Sequence, residues 1–485
     1  MSVQPEAFWS TEPPERIIGS ECEYGVQAGS PAQFANTETL RALGYQSHSG
    51  YMGSAGGAGR IYSDMGHLEH ATAEVMGPAA AAVQDLEGVE RVADIVTRSG
   101  HVHRGVYRTA GTFIPNGQVG GPSMRTSEGA TSGYHSNFMF PRVVEFDPLF
   151  DPLIATSLAV RPAIAGSGTL REEGFVLSQK VWGVGGAPVA HSVERRTQHG
   201  NKPMAMVPGR SSDVDTIGGD ERWARLEVRM ADPGLSLVSR FLDFAVTSLT
   251  LRLIELQRAE KRDAKSLLSG EHLSQLCLAQ PLDSAKRFAA DMSLQRIAQT
   301  RSGRRVTIVD VNEGLLDSFE QLNQEVALPA AECLAVLALR MVIDELRSSR
   351  PDQADYTQGA LATLDYARRH TFVSISKPQA EVRAQDTRML FRDLLWGQIV
   401  PDPSLPESMA CLGKRYWAVK NNQHELTPKI RRLADDSGMS PRAIIRASVI
   451  DASNGSMARN WATYEDPLGV KRSFGDAYGE ELLAA

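Results

Sequence analysis

The stretch GSECEYGV, residues 19–26, places two carboxylates in a segment that is otherwise typical of a buried β-strand. Successive side chains of a strand point to opposite faces, so Glu21 and Glu23 share one face and Cys22 lies on the other. Two acids on one face of a sheet are costly unless a divalent cation or nearby arginines offset their repulsion. The spacing therefore favours a cation site or an acid–arginine cluster over the alternative of a solvated sheet face.

A second segment, GRIYSDMGHLEHATAE, collects further acidic and basic side chains. Alternation places Arg60, Tyr62 and Asp64 on one face of a strand, and Glu69 follows within a short turn. Carboxylates on separate strands suit Mg²⁺, which keeps few protein ligands and binds substrate phosphates. Arg60 could contact such a phosphate, although a surface ion pair between Arg60 and Asp64 is the simpler alternative.

The strand candidate SGYHSNFMF puts His135 and Asn137 on one face and Ser136 on the other. A lone strand histidine is usually structural, and that alternative stays open on this segment alone.

The segment RLEVRMADPG projects Arg225, Glu227 and Arg229 on one face as a plus, minus, plus row that ends at a Pro-Gly turn. A ladder of cross-strand ion pairs is the alternative. Together with the earlier strands, the row supplies carboxylates for a cation and arginines for phosphate oxygens. Metal-dependent phosphoryl transfer needs both.

Several other functions are disfavoured by motifs that the sequence lacks. No GxxxxGK[ST] loop, dinucleotide fingerprint, GxSxG elbow or HExxH helix occurs in the chain. The formal net charge of -7 offers no basic field for nucleic acid. The four cysteines lie far apart, the N-terminus does not resemble a signal peptide, and no apolar run approaches the roughly 20 residues of a membrane span. We therefore expect a cytoplasmic protein with reduced thiols and with no nucleic acid or membrane partner.

The elements that must position these residues follow from hydrophobic periodicity. Strands are predicted at 16–26, 61–65, 132–140 and 225–230, and helices at 84–98, from 235 to about 253, after Pro329 and at 360–370. The stretch PDPSLPES at 401–408 and two later cap-plus-proline helix starts indicate a boundary. We therefore predict a catalytic domain over 1–400 and a small C-terminal domain over 401–485. The helical stretch from about 260 to 350 receives no assigned role.

At this point the chain resembles the Pup ligase and Pup deamidase/depupylase family of glutamine synthetase-like carboxylate–amine ligases. The likeness runs from about Arg16 to Trp461, through RIIGSECEYGV, GRIYSDMGHLEHATAE, GYHSNF, AGSGTLREEGFVLSQK, VPGR and NWATYEDPLG. It implies an α+β fold in which helices back a curved antiparallel β-sheet, with a small C-terminal domain.

The resemblance also implies roles for individual residues, which fall into three groups. The assignments are Glu21, Glu23, Tyr62, Glu69, His135 and Glu227 to Mg²⁺; Arg60, Thr72, Asn137, Arg210, Arg225 and Trp461 to ATP or its phosphates; and Asp64, as base, and Arg229 to catalysis.

Three features depart from the family pattern. The interval from Asp64 to Glu69 is one residue shorter than in the Pup enzymes, and Ser136 replaces a glutamate on the side that alternation points away from the active face. Glu227 and Arg229 stand where the Pup enzymes usually have a histidine. This last segment is closer to glutamine synthetase itself.

The implied activity is an ATP- and Mg²⁺-dependent ligation. The enzyme would phosphorylate a glutamate-type carboxylate and join it to an amine, such as a protein lysine. The donor would be a Pup-like small protein, a peptide or a small acid. The alternatives are an amide hydrolase of the deamidase type that uses bound nucleotide, and a non-catalytic nucleotide-binding scaffold. The hydrolases carry a longer insertion before the catalytic strand, which favours the ligase.

Overall fold

The structure is a computed structural model of the full chain. The residues that it describes are 5–28, 59–64, 67–99, 103–108, 133–171, 174–191, 202–208, 222–263, 272, 275–348, 359–374, 386–401, 406–444, 446, 457–458, 463–465 and 471–473.

Seventeen strands occur within these residues. They are β1 Ile17–Ala28, β2 Arg60–Asp64, β3 His67–Ala71, β4 Val75–Met76, β5 His103–Tyr107, β6 Tyr134–Pro141, β7 Thr169–Arg171, β8 Gly174–Val176, β9 Val189–Ala190, β10 Ala205–Met206, β11 Trp223–Val228, β12 Ala298–Gln299, β13 Arg305–Val306, β14 Gln398–Val400, β15 Met457–Ala458, β16 Thr463–Glu465 and β17 Lys471–Ser473.

The α-helices of the same residues lie mostly after the sheet. They are α1 Gly77–Arg98, α2 Phe150–Val160, α3 Pro162–Ala165, α4 Leu237–Asp263, α5 Pro281–Ala289, α6 Ile308–Glu325, α7 Ala330–Ser348, α8 Asp365–Ser374, α9 Thr387–Trp396, α10 Leu412–Gln423 and α11 Leu426–Ser437. Five 3-10 turns accompany them at Pro5–Trp9, Arg142–Phe146, Lys180–Gly183, Ala360–Thr363 and Glu407–Met409.

Ten of the strands form one sheet. Its main path runs β14–β5–β1–β6–β11–β10–β9, while β3 and β4 also pair with β1, and β2 pairs with β3. The pairings are antiparallel except for the parallel pair β9 and β10. Helices with a mostly antiparallel sheet define an α+β protein, so the predicted fold class is confirmed.

One face of this sheet is the wall of the hydrophobic core. Cys22 and Tyr24 of β1 are each 1 % exposed, and Tyr134, Ser136 and Phe138 of β6 are fully buried. The intervening residues of both strands are only partly buried, as period-two alternation requires. The predicted position of Ser136 away from the polar face is confirmed.

A buried carboxylate joins the helices to this inner face. Asp85 of α1 accepts hydrogen bonds from Ser20 Oγ at 2.9 Å, Tyr134 Oη at 3.1 Å and Arg240 Nε at 3.1 Å, and it also pairs with Arg108. Burial opposes ionisation of Asp85, but Arg108 and Arg240 outweigh it and lower its pKa to about 2. The cluster therefore stays charged and fixes α1 and α4 against β1 and β6.

The start of α4 is held by distant residues. Asp365 Oδ2 accepts the backbone N–H groups of Leu235 and Ser236, both at 3.0 Å. Asn421 Oδ1 accepts the N–H of Leu237 at 2.8 Å. These side chains satisfy donors that a helix N-terminus cannot satisfy by itself.

The described part of the C-terminal region packs on the same core. Trp417 and Ile430 are buried together with residues of α1 and α4. The division at residue 400 stays a prediction.

The predicted elements correspond to observed ones, with shifted ends. Helix α1 begins at Gly77 instead of residue 84, because the run Ala79–Ala82 is apolar on every side and lacks the three/four spacing. The helical middle contains α5, α6 and α7. The helix predicted from Thr427-Pro428 begins at Leu426. None of the helices within the described residues is long and apolar enough to cross a membrane, and the four cysteines are free.

The Asp85 cluster gives a stability prediction. Asp85→Asn leaves Arg108 and Arg240 buried without their shared counter-charge, so we expect the free energy of unfolding to fall by about 3–5 kcal/mol. The exposed pair of Asp94 and Arg98 is the matched control, and Asp94→Asn should cost about 0.5 kcal/mol or less. Urea unfolding of the three proteins measures both values. Equal losses in the two variants would contradict the role given to Asp85.

Candidate active site

The strand register brings most of the predicted residues onto the other face of the sheet. Residues that are paired across neighbouring strands form rows, and successive rows on one face lie roughly 7 Å apart. The rows are Tyr62–Glu69–Glu23, Arg60–Ala71–Glu21–His135 and Gly19–Asn137–Glu227. Five strands thus place acids, a histidine and an arginine on a single surface.

Glu21 is linked to β6. His135 Nδ1 lies 3.3 Å from Glu21 Oε2, and Asn137 Nδ2 donates to Glu21 Oε1 at 3.3 Å. The side chain of Glu21 is 26 % exposed, so the carboxylate remains accessible from the open side of the sheet. The buried Nε2 atom of His135 has no hydrogen-bond partner within the described part of the chain.

The plus, minus, plus row of β11 is present as predicted. Arg225 Nη1 lies 3.1 Å from Glu227 Oε2, and Arg229 Nε lies 2.7 Å from Glu227 Oε1. Arg225 Nη1 also donates to Asn137 Oδ1 at 2.6 Å, which links this row to the Glu21 group. The two ion pairs run along one segment of the chain, between residues two positions apart, and so differ from the cross-strand ladder that was the alternative.

Glu227 is a residue of the polar face whose pKa is strongly shifted. Burial opposes ionisation of Glu227, but Arg225, His135 and Arg229 together lower its pKa to about 2. The carboxylate is therefore charged at neutral pH. Because this pKa is below the ordinary value of 4.5, the stability it contributes is present above about pH 4.5 and is lost as the pH falls towards 2.

Glu23 is fixed by the segment that precedes β6. Its backbone N–H donates to the carbonyl of Gly133 at 2.8 Å, and its carboxylate accepts the N–H of Gly133. A Cβ at position 133 would lie 2.6 Å from the Glu23 carboxyl carbon, so only glycine allows this approach. Glu69, directly opposite Glu23, is 4 % exposed, and Tyr62 opposite Glu69 is 9 % exposed.

A cleft opens beside these rows. Its polar side includes Glu21, Asn137 and Arg225, and its apolar side includes Ile17 and Met139. The mixed lining suits a small organic ligand with an anionic end.

Thr72 and Gly19 shape the floor of this cleft. Thr72 Oγ1 accepts the N–H of Ser20 at 2.9 Å, which leaves the hydroxyl hydrogen available to a ligand. Gly19 shares the face of Glu21, and a Cβ there would contact Thr72 Oγ1 at 3.6 Å and occupy part of the space. Arg60 is 4 % exposed in the row of Glu21 and is not among the residues that line the cleft.

Three predicted positions cannot be placed. Arg210 and Trp461 lie outside the described residues, and so does the side chain of Asp64, although its backbone ends β2 opposite His67. Their roles stay predictions.

The donor set fits Mg²⁺ in its chemistry. Glu21, Glu23 and Glu69 offer hard oxygen ligands from two neighbouring strands. Within the described residues no three acidic, histidine or cysteine side chains yet converge on one point. The ligand set assigned to Mg²⁺ therefore remains a prediction.

Lys180 is a charged group that the sequence did not single out. It is 2 % exposed on the 3-10 turn Lys180–Gly183, and its backbone N–H donates to Asp232 Oδ1 at 2.9 Å. Burial and the positive charge of Lys202 lower its pKa to about 7, while Glu23 and Asp232 raise it. The only sequence signal was its position in the segment AGSGTLREEGFVLSQK, which the resemblance implied to be a substrate-side loop.

The mostly antiparallel sheet, with acids and arginines on its open face beside a cleft, has the arrangement of a glutamine synthetase-like protein. The chain belongs to the Pup ligase family, because the family model described as "Pup-ligase protein" matches residues 53–465. The resemblance inferred from the sequence is confirmed.

Two relatives illustrate the range of this family. A Pup–protein ligase from Acidimicrobium ferrooxidans is 24% identical over 452 residues, which cover 90% of this chain and 89% of the relative. A Pup deamidase/depupylase from Mycobacterium tuberculosis is 26% identical over 343 residues, which cover 68% of this chain but 61% of the relative.

Solved structures agree with the fold. The complex of Pup with its ligase PafA gives a TM-score of 0.68 at 16% identity and covers 95% of this chain and 89% of the ligase. PafA in complex with ADP gives a TM-score of 0.61 at 16% identity and covers 92% of this chain and 90% of that one. The predicted glutamine synthetase-like fold is confirmed.

The charge of Glu227 can be tested through its pH dependence. We expect Glu227→Gln to lower the free energy of unfolding at pH 7. At pH 3.5 the difference in this free energy between the variant and wild type should be smaller by about 1 kcal/mol. Urea unfolding at the two pH values measures it. Arg229→Gln supplies the control, because Glu227→Gln should cost less in that background than in wild type. A difference that is the same at both pH values would contradict the assigned pKa.

Proposed function

We propose that the protein is an ATP-dependent ligase that activates a glutamate-type carboxylate and joins it to an amine through an amide or isopeptide bond. The single observation that carries the proposal is the polar cluster of Glu21, Asn137, Arg225 and Glu227, in which the first three line the cleft and Glu227 pairs with Arg225. Membership of the Pup ligase family supports the same conclusion.

ATP would enter with its base on the apolar side of the cleft, near Ile17 and Met139. Its phosphates would then extend towards Thr72, Asn137 and Arg225. The ADP complex of the solved relative agrees with a nucleotide in this family. Arg60 and Arg210 would contact phosphate oxygens, and Trp461 would pack on the nucleotide.

Mg²⁺, when bound by Glu21, Glu23, Tyr62, Glu69, His135 and Glu227, would neutralise phosphate charge and align the phosphates. The residues of this chain do the remaining work. Glu227 holds the guanidinium of Arg229 at 2.7 Å, so that this cation is oriented before substrate arrives. Orientation in advance removes the reorganisation cost that water would impose.

The chemistry has two steps. The γ-carboxylate of the donor attacks the terminal phosphorus of ATP, which releases ADP and gives an acyl phosphate, with Arg229 and Arg210 stabilising the charge. The amine of the acceptor then attacks the acyl carbon and expels phosphate. Asp64 removes the proton of this amine, which is mostly protonated at neutral pH.

The donor that we propose is Pup or a Pup-like small protein, and the acceptor is a protein lysine. The ligase from Acidimicrobium ferrooxidans, named for Pup, is covered over 89% of its length. The glutamine synthetase-like pair of Glu227 and Arg229 keeps a peptide or a small acid as the alternative donor.

Amide hydrolysis is the second candidate, because the deamidase relative is 26% identical in the aligned region. Coverage of that relative is lower, and the short interval before β2 lacks the insertion typical of the hydrolases. A cytoplasmic location remains a prediction that accompanies both candidates.

One experiment separates these activities. The protein is incubated with ATP, a lysine-containing acceptor and a Pup-like peptide that ends in Glu or in Gln. A ligase yields a conjugate whose mass is the sum of its parts less one water, with one ADP per conjugate. A deamidase instead replaces the amide of the Gln peptide with a carboxylate, without net consumption of ATP.

Asp64→Asn tests the base within the same assay. We expect conjugate formation to fall by about 10²-fold or more, since a positioned base typically supplies 10²–10⁴-fold, while ADP binding stays within about twofold of wild type. Mass spectrometry measures the conjugate and calorimetry the binding. Near wild-type conjugation by a variant that binds ATP would show that Asp64 is not the base.

The Mg²⁺ ligands have a readout that does not depend on turnover. In the presence of ADP, titration with Mg²⁺ should raise the thermal midpoint of wild type, and Glu23→Gln should need more Mg²⁺ for the same rise. Glu145→Gln is the matched control, since this partly buried carboxylate pairs with Arg142 and His191 away from the polar face. If both variants follow the wild-type titration, Glu23 is not a ligand.

A further inference from the structure

Residues 437–446 return from the end of the chain to the edge of the sheet beside the cleft. The N–H of Ser440 donates to the carbonyl of Glu74 at 2.8 Å, and the N–H of Met76 donates to the carbonyl of Gly438 at 3.1 Å. Val75 and Met439 form an isolated antiparallel bridge. These backbone bonds dock the C-terminal segment directly after β3, next to Thr72.

The carboxylate of Glu74 accepts two arginines from this segment. Arg442 Nε lies 3.2 Å from Glu74 Oε2, a second nitrogen of Arg442 bonds to Oε1, and Arg446 Nη1 lies 3.2 Å from Oε2. The side chains of Arg442 and Arg446 are 1 % and 0 % exposed. Burial opposes ionisation of Glu74, but the two arginines outweigh it and lower its pKa. The cluster is therefore a buried ion triad.

The triad belongs to the wall of the cleft. Glu74 and Arg442 are among the lining residues, together with Thr72 and Ile17, whereas Arg446 is not. One residue of the cleft wall, Arg442, thus comes from a segment that follows β1 by more than 400 positions in the sequence. The cleft is complete only when this segment is docked.

We propose that Glu74 is a positioning residue which, together with Arg446, holds Arg442 in the wall of the cleft and thereby couples nucleotide binding to docking of residues 437–446. This inference rests on the proposed function, since it takes the ligand of the cleft to be a nucleotide. Coupling between two binding events is reciprocal, so a bound nucleotide also stabilises the docked segment.

The charges of the triad support this coupling. Two arginines and one carboxylate leave a net charge of about +1 beside the cleft, which favours an anionic ligand. If the segment undocks, Glu74 remains as an uncompensated acid in the same wall, and this repels the anion. Docked and undocked states therefore differ in nucleotide affinity through charge as well as shape.

Substitution of Arg446 gives the most specific test, because Arg446 pairs with Glu74 but does not line the cleft. We expect Arg446→Gln to raise the KM for ATP about tenfold, with kcat within about threefold of wild type, and to reduce the rise in thermal midpoint caused by ADP. Protection of the C-terminal segment from protease by ADP should weaken in parallel. Arg446→Lys keeps the charge and should restore most of the affinity.

Asp393→Asn is the matched control. Asp393 forms an equally buried pair with Arg369, at 2.6 Å, and neither residue lines the cleft. This variant should lower the thermal midpoint and leave the KM for ATP unchanged. If Arg446→Gln does not fold, the comparison of Glu74→Gln and Arg446→Lys with wild type carries the same test.

The outcomes that overturn the inference are distinct. An unchanged KM and an unchanged ADP-induced shift in Arg446→Gln would refute the coupling, while wild type still bound ADP. If Asp393→Asn raises the KM for ATP as much as Arg446→Gln does, the rise reflects general destabilisation of the protein. That result would also refute the coupling. Failure of the wild-type protein to bind ADP at all would instead refute the proposed function.

Discussion

The structure depends on one buried carboxylate, Asp85, beneath the sheet. Its oxygens bind Ser20 and Tyr134 from two adjacent strands, and Arg108 and Arg240 from two other parts of the chain. A charge buried this deeply is tolerated only while each partner is in place. The cluster therefore fixes the rotation of β1 and β6 relative to α1 and α4, and this rotation decides which side of each strand meets the core.

The position of the polar face follows from which side of each strand is buried in the core. Once Cys22, Tyr24 and Ser136 are buried, alternation leaves the acids of β1 and the His135–Asn137 pair on the other side. Register then brings Glu21 opposite His135 and Asn137 opposite Glu227. A slip of one residue in either pairing would turn these side chains into the core. The register of the strands therefore determines the relative positions of the side chains in the candidate active site.

Local patterns predicted this face well, because a strand's alternation depends only on neighbouring residues. They gave the shared face of Glu21 and Glu23, the plus, minus, plus row of β11, and the position of Ser136. They did not predict Asp85, whose carboxylate looked like an ordinary polar position of an amphipathic helix. Lys180 and the Glu74–Arg442 contact were missed for the same reason: their significance comes from partners that are remote in sequence.

The sequence by itself determined the class of chemistry and the strands that carry it, since residue type and period-two spacing are local properties of the chain. Tertiary structure alone decided which carboxylates meet which arginines. It also decided that Arg442, from a C-terminal segment, lies beside Glu74 in the wall of the cleft. Such contacts join residues hundreds of positions apart, and they form only when the hydrophobic core and the buried ion clusters have fixed how the helices pack against the sheet.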